Sequence, residues 1–156
     1  MNDTIDEEDL VIYEDIKIFD YAHKGFLKLR HADGITSEMI KKSLNPTPNF
    51  KSALNAGQTT GKSGSFQFFS FDRKFAIKTM FDHELDIFME HIEDYFEHLD
   101  NNPNSLLGRI YGIFQIQMKG VIPVSFLLMP CLIRSQPSSI VKVYDLKGSM
   151  VNRIVH

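Results

Sequence analysis

Tryptophan is absent from this chain and cysteine occurs once, at Cys131. A single thiol forms no disulfide within the chain, so packing alone has to hold the fold. Without tryptophan, the 13 phenylalanines must supply most of the aromatic core. Long apolar runs are missing too. The longest, VIPVSFLLMPCLI at 121–133, is shorter than the roughly 20 residues a bilayer-spanning helix needs, and Pro123 and Pro130 interrupt it. The first 15 positions contain no lysine or arginine, yet they hold seven of the 20 acidic residues. The start MNDTIDEEDL thus reverses the basic-then-apolar order of a secretory signal and points to a cytoplasmic setting.

What is present suits one globular domain. The chain has 156 residues, 43% of them hydrophobic, enough to bury one sizeable core. Residues 1–17 read as an acidic flexible tail on a domain spanning 18–156. Beyond position 15, 17 basic residues face 13 acidic ones. That excess is too small to predict a nucleic-acid partner, whose binding grows with the number of phosphates neutralised.

The apolar pattern predicts an α+β fold. Phe19–Arg30 has near-helical spacing, and Thr36 is a suitable N-cap for a second short helix, SEMIKKSL. Residues 45–64, with two prolines and three glycines, read as a flexible loop. SFQFFSF and KFAIKTM, joined by DRK, form a predicted antiparallel hairpin. Leu85, Phe88, Met89, Ile92, Tyr95, Phe96 and Leu99 then recur every three or four residues, which predicts one long amphipathic helix of about four to five turns. Three strand-like runs follow: RIYGIFQIQM, VIPVSFLLM and SSIVKVYDL.

AGQTTGKSGS, residues 56–65, fits a relaxed Walker loop. Its surroundings disfavour that reading. No strand precedes it, and the aromatic-rich GSFQFFSF follows where a helix should begin. A glycine-rich loop between strands can still hold phosphates. Gly61 and Gly64 let successive N–H groups converge on an anion, while Ser63 and Ser65 add hydroxyl donors. The alternative is a linker without a ligand.

The next strand favours the phosphate reading. Side chains alternate in KFAIKTM, so Ala76 and Lys78 share one face while Phe75 and Ile77 share the other. Protein kinases place a small residue and a lysine in this way against adenine and phosphates, with a glutamate from the next helix orienting the lysine. At roughly 100° per residue, Glu84 falls at the edge of the apolar stripe and is preferred over Asp86 as that partner. His83, His91 and His98 have spacings unlike a two-histidine zinc site.

The strings GKSGSFQFFSFDRKFAIKTM, EHLDNNPNSLLGRIYGIFQI and YDLKGS, in that order, resemble the phosphatidylinositol phosphate kinase family. FDYAHKGFLKLRHADGITSEMIKKSL resembles the same family's entry region. The resemblance implies the N-terminal lobe of a lipid kinase related to protein kinases, an antiparallel sheet with a long helix packed on it. It further implies ATP and Mg2+ as cofactors and a phosphoinositide substrate at a membrane surface, with the protein peripheral to membranes. Gly61, Lys62, Ser63, Gly64 and Ser65 would form the phosphate loop, Lys78 the nucleotide lysine and Glu84 its partner. Ala76, Met129 and Leu132 would line the adenine side, with FLLMPCL leading into the hinge. Lys147 and Arg153 would face nucleotide or inositol phosphates.

Two positions depart from the family pattern: Pro130-Cys131 stands at an otherwise Asn-rich hinge, and DLKGSM replaces DLKGST. The family's catalytic and metal-binding aspartates are expected in a second lobe beyond His156, which makes this chain alone an inactive part of the kinase. The alternative expectation is a short, catalytically dead protein that binds nucleotide weakly or pairs with a kinase. An exposed sheet edge would offer a dimer surface.

Overall fold

The computed structural model describes residues 11–13, 15–50, 65–132 and 139–142. Its elements are β1 (Val11–Tyr13), β2 (Ile16–Tyr21), α1 (His23–Ala32), α2 (Ser37–Ser43), β3 (Gln67–Phe69), β4 (Phe75–Met80), α3 (Asp82–Glu90), α4 (Ile92–Asn101), β5 (Gly112–Met118) and β6 (Val124–Pro130). All six strands join one antiparallel sheet in the order β1-β2-β5-β6-β4-β3. The α+β class and the antiparallel sheet agree with the expectation.

Each face of the sheet carries its own apolar cluster. On one face, Phe26 and Leu29 of α1, Leu85 of α3, and Ile92, Tyr95 and Leu99 of α4 enclose Ile113 of β5. Every residue of the predicted helical stripe belongs to this cluster or packs against it. On the opposite face, Phe75, Tyr111 and Leu128 are buried beneath Ile35, Ile40 and Leu44, at and around α2. Phe75 meets Tyr111 edge-on at 6.2 Å.

Five expectations need correction. The long helix is two helices: α3 ends in a tight His91 N–H to Phe88 carbonyl bond, and α4 starts at Ile92. No proline or glycine marks this break, and the apolar period runs through it because both helices face the same core. Phe19–Tyr21 belongs to β2, and helix α1 starts only at His23 after Ala22 in the left-handed region at φ 48°. Alternating Ile16, Ile18 and Asp20 pair with β5, so a two-residue period governs there. The tail expected over 1–17 contains β1 and the start of β2, whose Val11–Tyr13 and Ile16–Ile18 pair as a hairpin.

Within the expected loop 45–64, residues 46–50 are helical. Pro46 suits a first helical position, and Asn45 caps the turn by accepting from Thr47 N–H at 3.0 Å. Residues 139–142 join no strand of the sheet. Both β5 and β6 already have two neighbours, which leaves no free edge beside them. The remainder of SSIVKVYDL lies outside the described residues.

Candidate functional site

Strands β3, β4 and β6 assemble the candidate site. In the β4–β6 register, Ala76 lies opposite Met129 and Lys78 opposite Leu127. In the β3–β4 register, Lys78 faces Gln67 and Ala76 faces Phe69. Ala76, Lys78, Met129 and Leu127 therefore share the face that carries α1, α3 and α4. Ala76 is fully buried and Lys78 half-buried. Phe75 and Ile77 point the other way into the cluster beneath α2, as the strand alternation predicts.

The β3–β4 pairing continues beyond the formal end of β3. Thr79 N–H donates to the Phe66 carbonyl at 3.0 Å, while Phe66 N–H donates to Thr79 Oγ1 at 2.9 Å. Ser65, buried just before it, brings the chain to the sheet from the glycine-rich stretch. Gly61, Lys62, Ser63 and Gly64 lie outside the described residues, as do Lys147 and Arg153.

Glu84 occupies the first turn of α3, where its Oε2 accepts from Phe81 N–H at 2.9 Å. A carboxylate at this end of a helix is favoured by the exposed N–H groups and by the dipole. No ion pair joins Glu84 to Lys78, so the structure does not bring these two together as the family pattern would. Met129 lies in β6 beside Ala76, whereas Leu132 follows the strand and is largely exposed. Buried Cys131 anchors the segment between them by donating its N–H to the Lys74 carbonyl at 2.8 Å.

A polar brace fixes this hairpin, and sequence reading missed it. Asp72, in the turn read only as polar DRK, accepts from Ser43 Oγ and Ser70 Oγ, each at 2.7 Å. Its Oδ1 also accepts from Lys74 N–H at 3.2 Å. Burial pushes the Asp72 carboxyl up, but bonds from Ser43, Ser70 and Lys74 N–H, with the Lys74 charge, hold it below the ordinary carboxylate range. Asn49 adds a second tie: it donates to the Ser43 and Asn45 carbonyls and accepts from Phe71 N–H at 2.7 Å. The signal available in the sequence was the Ser-Phe-Asp run at the hairpin turn. Its partner Ser43, on α2, lies 29 positions away.

A second brace supports the helical face. The Tyr95 hydroxyl donates to the Gly108 carbonyl at 3.0 Å and accepts from Ile110 N–H at 2.7 Å. Burial raises the pKa of this hydroxyl, while the Ile110 bond and the Arg109 charge work against the rise. Buried Arg30 donates to the Tyr111 carbonyl at 2.6 Å, tying α1 to the entrance of β5.

A cavity of about 310 Å³ lies at the far end of the hairpin, lined by Ile35, Met39, Phe75, Tyr111 and Pro130 together with the Asp72–Lys74 turn. It opens on the sheet face opposite Lys78, so it is separate from the candidate site. Among the described residues, no group of three or more His, Cys, Asp or Glu could hold a metal ion. No helix among them is long and apolar enough to cross a membrane.

Comparison with known proteins bears on what this arrangement does. The family model for phosphatidylinositol-4-phosphate 5-kinase matches residues 49–156. A probable phosphatidylinositol phosphate kinase of Dictyostelium discoideum is 38% identical over 138 residues, covering 88% of this chain and 19% of its own length. The phosphatidylinositol 4-phosphate 5-kinase its3 of Schizosaccharomyces pombe is 34% identical over 139 residues, covering 89% and 18%. Phosphatidylinositol 4-phosphate 5-kinase-like protein 1 of Mus musculus is 31% identical over 134 residues, covering 86% and 33%. The chain therefore spans between about a fifth and a third of the length of these curated relatives.

Proposed function

This chain belongs to the phosphatidylinositol-4-phosphate 5-kinase family, and from that membership we propose that it carries the nucleotide-binding lobe of a lipid kinase. The reaction is transfer of the ATP γ-phosphate to a hydroxyl of a phosphoinositide's inositol ring, at a membrane surface. The carrying observation is the shared face of Ala76 and Lys78 on β4, beside Met129 of β6 and on the side of α3.

A buried Ala beside Met129 leaves a flat apolar strip suited to a purine ring. Lys78, two residues along the same face, offers a cation free of any carboxylate partner among the described residues. Opposite unit charges about 4 Å apart attract by about 1 kcal/mol in water and about 4 kcal/mol at an effective dielectric of 20. A half-buried lysine between those limits can orient a nucleotide's phosphates. Gly61–Ser65 would add backbone donors to the same phosphates. No ion pair joins Glu84 to Lys78 here, so in this proposal that pairing belongs to the nucleotide-bound state, made through a carboxylate whose Oε2 accepts from Phe81 N–H.

Phosphoryl transfer in kinases also uses metal ions that neutralise charge on the phosphates. The described residues do not fit such a site, so Mg2+ is assigned no ligand among them. Lys147 and Arg153 complete the proposal as contacts for nucleotide or inositol phosphates. A second reading, a nucleotide-binding protein that pairs with a kinase, draws on β1 and β3 as the two edge strands of the sheet among the described residues. Calorimetric titration with Mg-ATP tests the nucleotide role: binding is expected, and Lys78→Ala should weaken it about tenfold or more, in keeping with the Coulomb range above. Equal affinity of the two proteins would remove Lys78 from the site.

A further inference from the structure

We propose that the tip of the β5–β6 hairpin is a membrane-contacting element that inserts apolar side chains into an anionic bilayer surface. This deepens the lipid-kinase reading and rests on it for the choice of a bilayer as partner. Met118, Val121, Ile122 and Val124 are all exposed at this tip, Ile122 at 84% and Val121 at 52%. None of the four belongs to either core cluster. The turn is nevertheless well formed, with Val121 N–H donating to the Met118 carbonyl at 3.1 Å and Gly120 at φ +78°. Pro123 further restricts the backbone between the two strands. A defined turn that holds its apolar side chains in water marks a contact surface.

Charge next to the tip selects the kind of surface. Met118 pairs with Ile16, which brings the β1–β2 turn alongside. Exposed Lys17 and Lys119, with Asp15, Gln117 and Met118, line a shallow pocket of about 350 Å³ there. Among the described residues lining that pocket, two lysines stand against one aspartate, and beside an apolar tip they suit phosphate-bearing headgroups, with the tip among the acyl chains. The tip also lies at the end of the sheet where β3 begins. Met80 pairs with Ser125 next to Val124, and Thr79 pairs with Phe66, so β3 leaves the glycine-rich stretch at this same end. A lobe docked through Ile122 would present that end to the lipid.

The absence of tryptophan supplies a clean reporter. Ile122→Trp emission should shift to the blue when phosphatidylcholine vesicles containing phosphatidylserine are added, and much less with phosphatidylcholine alone. Leu106→Trp is the control. Leu106 is fully exposed, in the loop before β5 at the opposite end of the sheet, and its emission should stay unchanged. In the tryptophan-free protein, Val121→Asp with Ile122→Asp should lower vesicle co-sedimentation about tenfold or more. Lys119→Gln should lower it by about fivefold and flatten its salt dependence.

No shift at position 122 would overturn the proposal. So would emission that is already blue without vesicles and moves with protein concentration, which would assign the tip to a second copy of the chain. Mg-ATP titration of the same variants keeps the two readings apart. Loss of the shift with nucleotide binding intact removes only the membrane element, and an intact shift without nucleotide binding removes only the nucleotide role.

Discussion

Replacing Asp72 by alanine should unfasten the hairpin that presents Ala76 and Lys78. The carboxylate receives two hydroxyl donors at 2.7 Å, and both come from residues with almost no solvent contact, Ser43 at 1% and Ser70 at 2% exposure. After truncation those hydroxyls can reach neither the lost acceptor nor water easily. Hydrogen bonds to a charged group contribute about 1.5–3 kcal/mol each. Asp72 itself keeps some solvent contact, so the low end applies and the two bonds together amount to about 3 kcal/mol. For a domain of this size that lowers the melting temperature by about 6–12 °C.

The pH dependence adds a second signature. The folded Asp72 carboxyl titrates below its ordinary range, so its contribution is fully present above the unfolded value of about 4 and is lost as pH falls through the folded value. Urea unfolding at neutral pH and in acid measures both effects. The wild type should lose part of its advantage over Asp72→Ala as the pH drops below about 4. Asp72→Asn, which keeps one acceptor oxygen, should fall between the two at neutral pH. An Asp72→Ala midpoint equal to wild type at neutral pH would refute the brace, as would a constant difference across the acid range.

Other outcomes follow from the same packing. Tyr95→Phe should cost about 1–2 kcal/mol by urea unfolding, because it leaves Ile110 N–H and the Gly108 carbonyl without their shared partner. Gly25→Ala drives a methyl group into the Phe96 ring, which also meets Phe26 edge-on at 5.0 Å, and should destabilise by about 1–3 kcal/mol. Glu84→Gln keeps an acceptor for Phe81 N–H and should leave thermal stability nearly unchanged; if Glu84 serves Lys78 in the bound state, Mg-ATP affinity should still fall in calorimetry.

The sheet and its helices were legible to different degrees, for physical reasons. Strand alternation in KFAIKTM fixed the faces of Phe75 and Ala76 because one slip would turn a phenylalanine out to solvent. The helical stripe from Leu85 to Leu99 was legible for the same reason, yet the break at His91 was not. Both helices bury the same face, so periodicity carries no mark of the joint. The early strands were obscured by acidic neighbours, since β2 is recognisable mainly by its pairing with β5. At the site, Ala76 and Lys78 were readable from local alternation. The Asp72–Ser43 bond and the engagement of Glu84 by Phe81 N–H depend on how distant or competing groups settle, which a linear pattern does not encode.

Nucleotide binding on the face of β4 that bears Lys78 underlies the proposed role of this lobe. Amide chemical shifts recorded by NMR during Mg-ATP titration test it most directly. The largest changes are expected at Ala76, Lys78 and Met129, which neighbour one another across β4 and β6. Changes confined to Ile35, Asp72 and Tyr111, around the cavity on the opposite face, would contradict it.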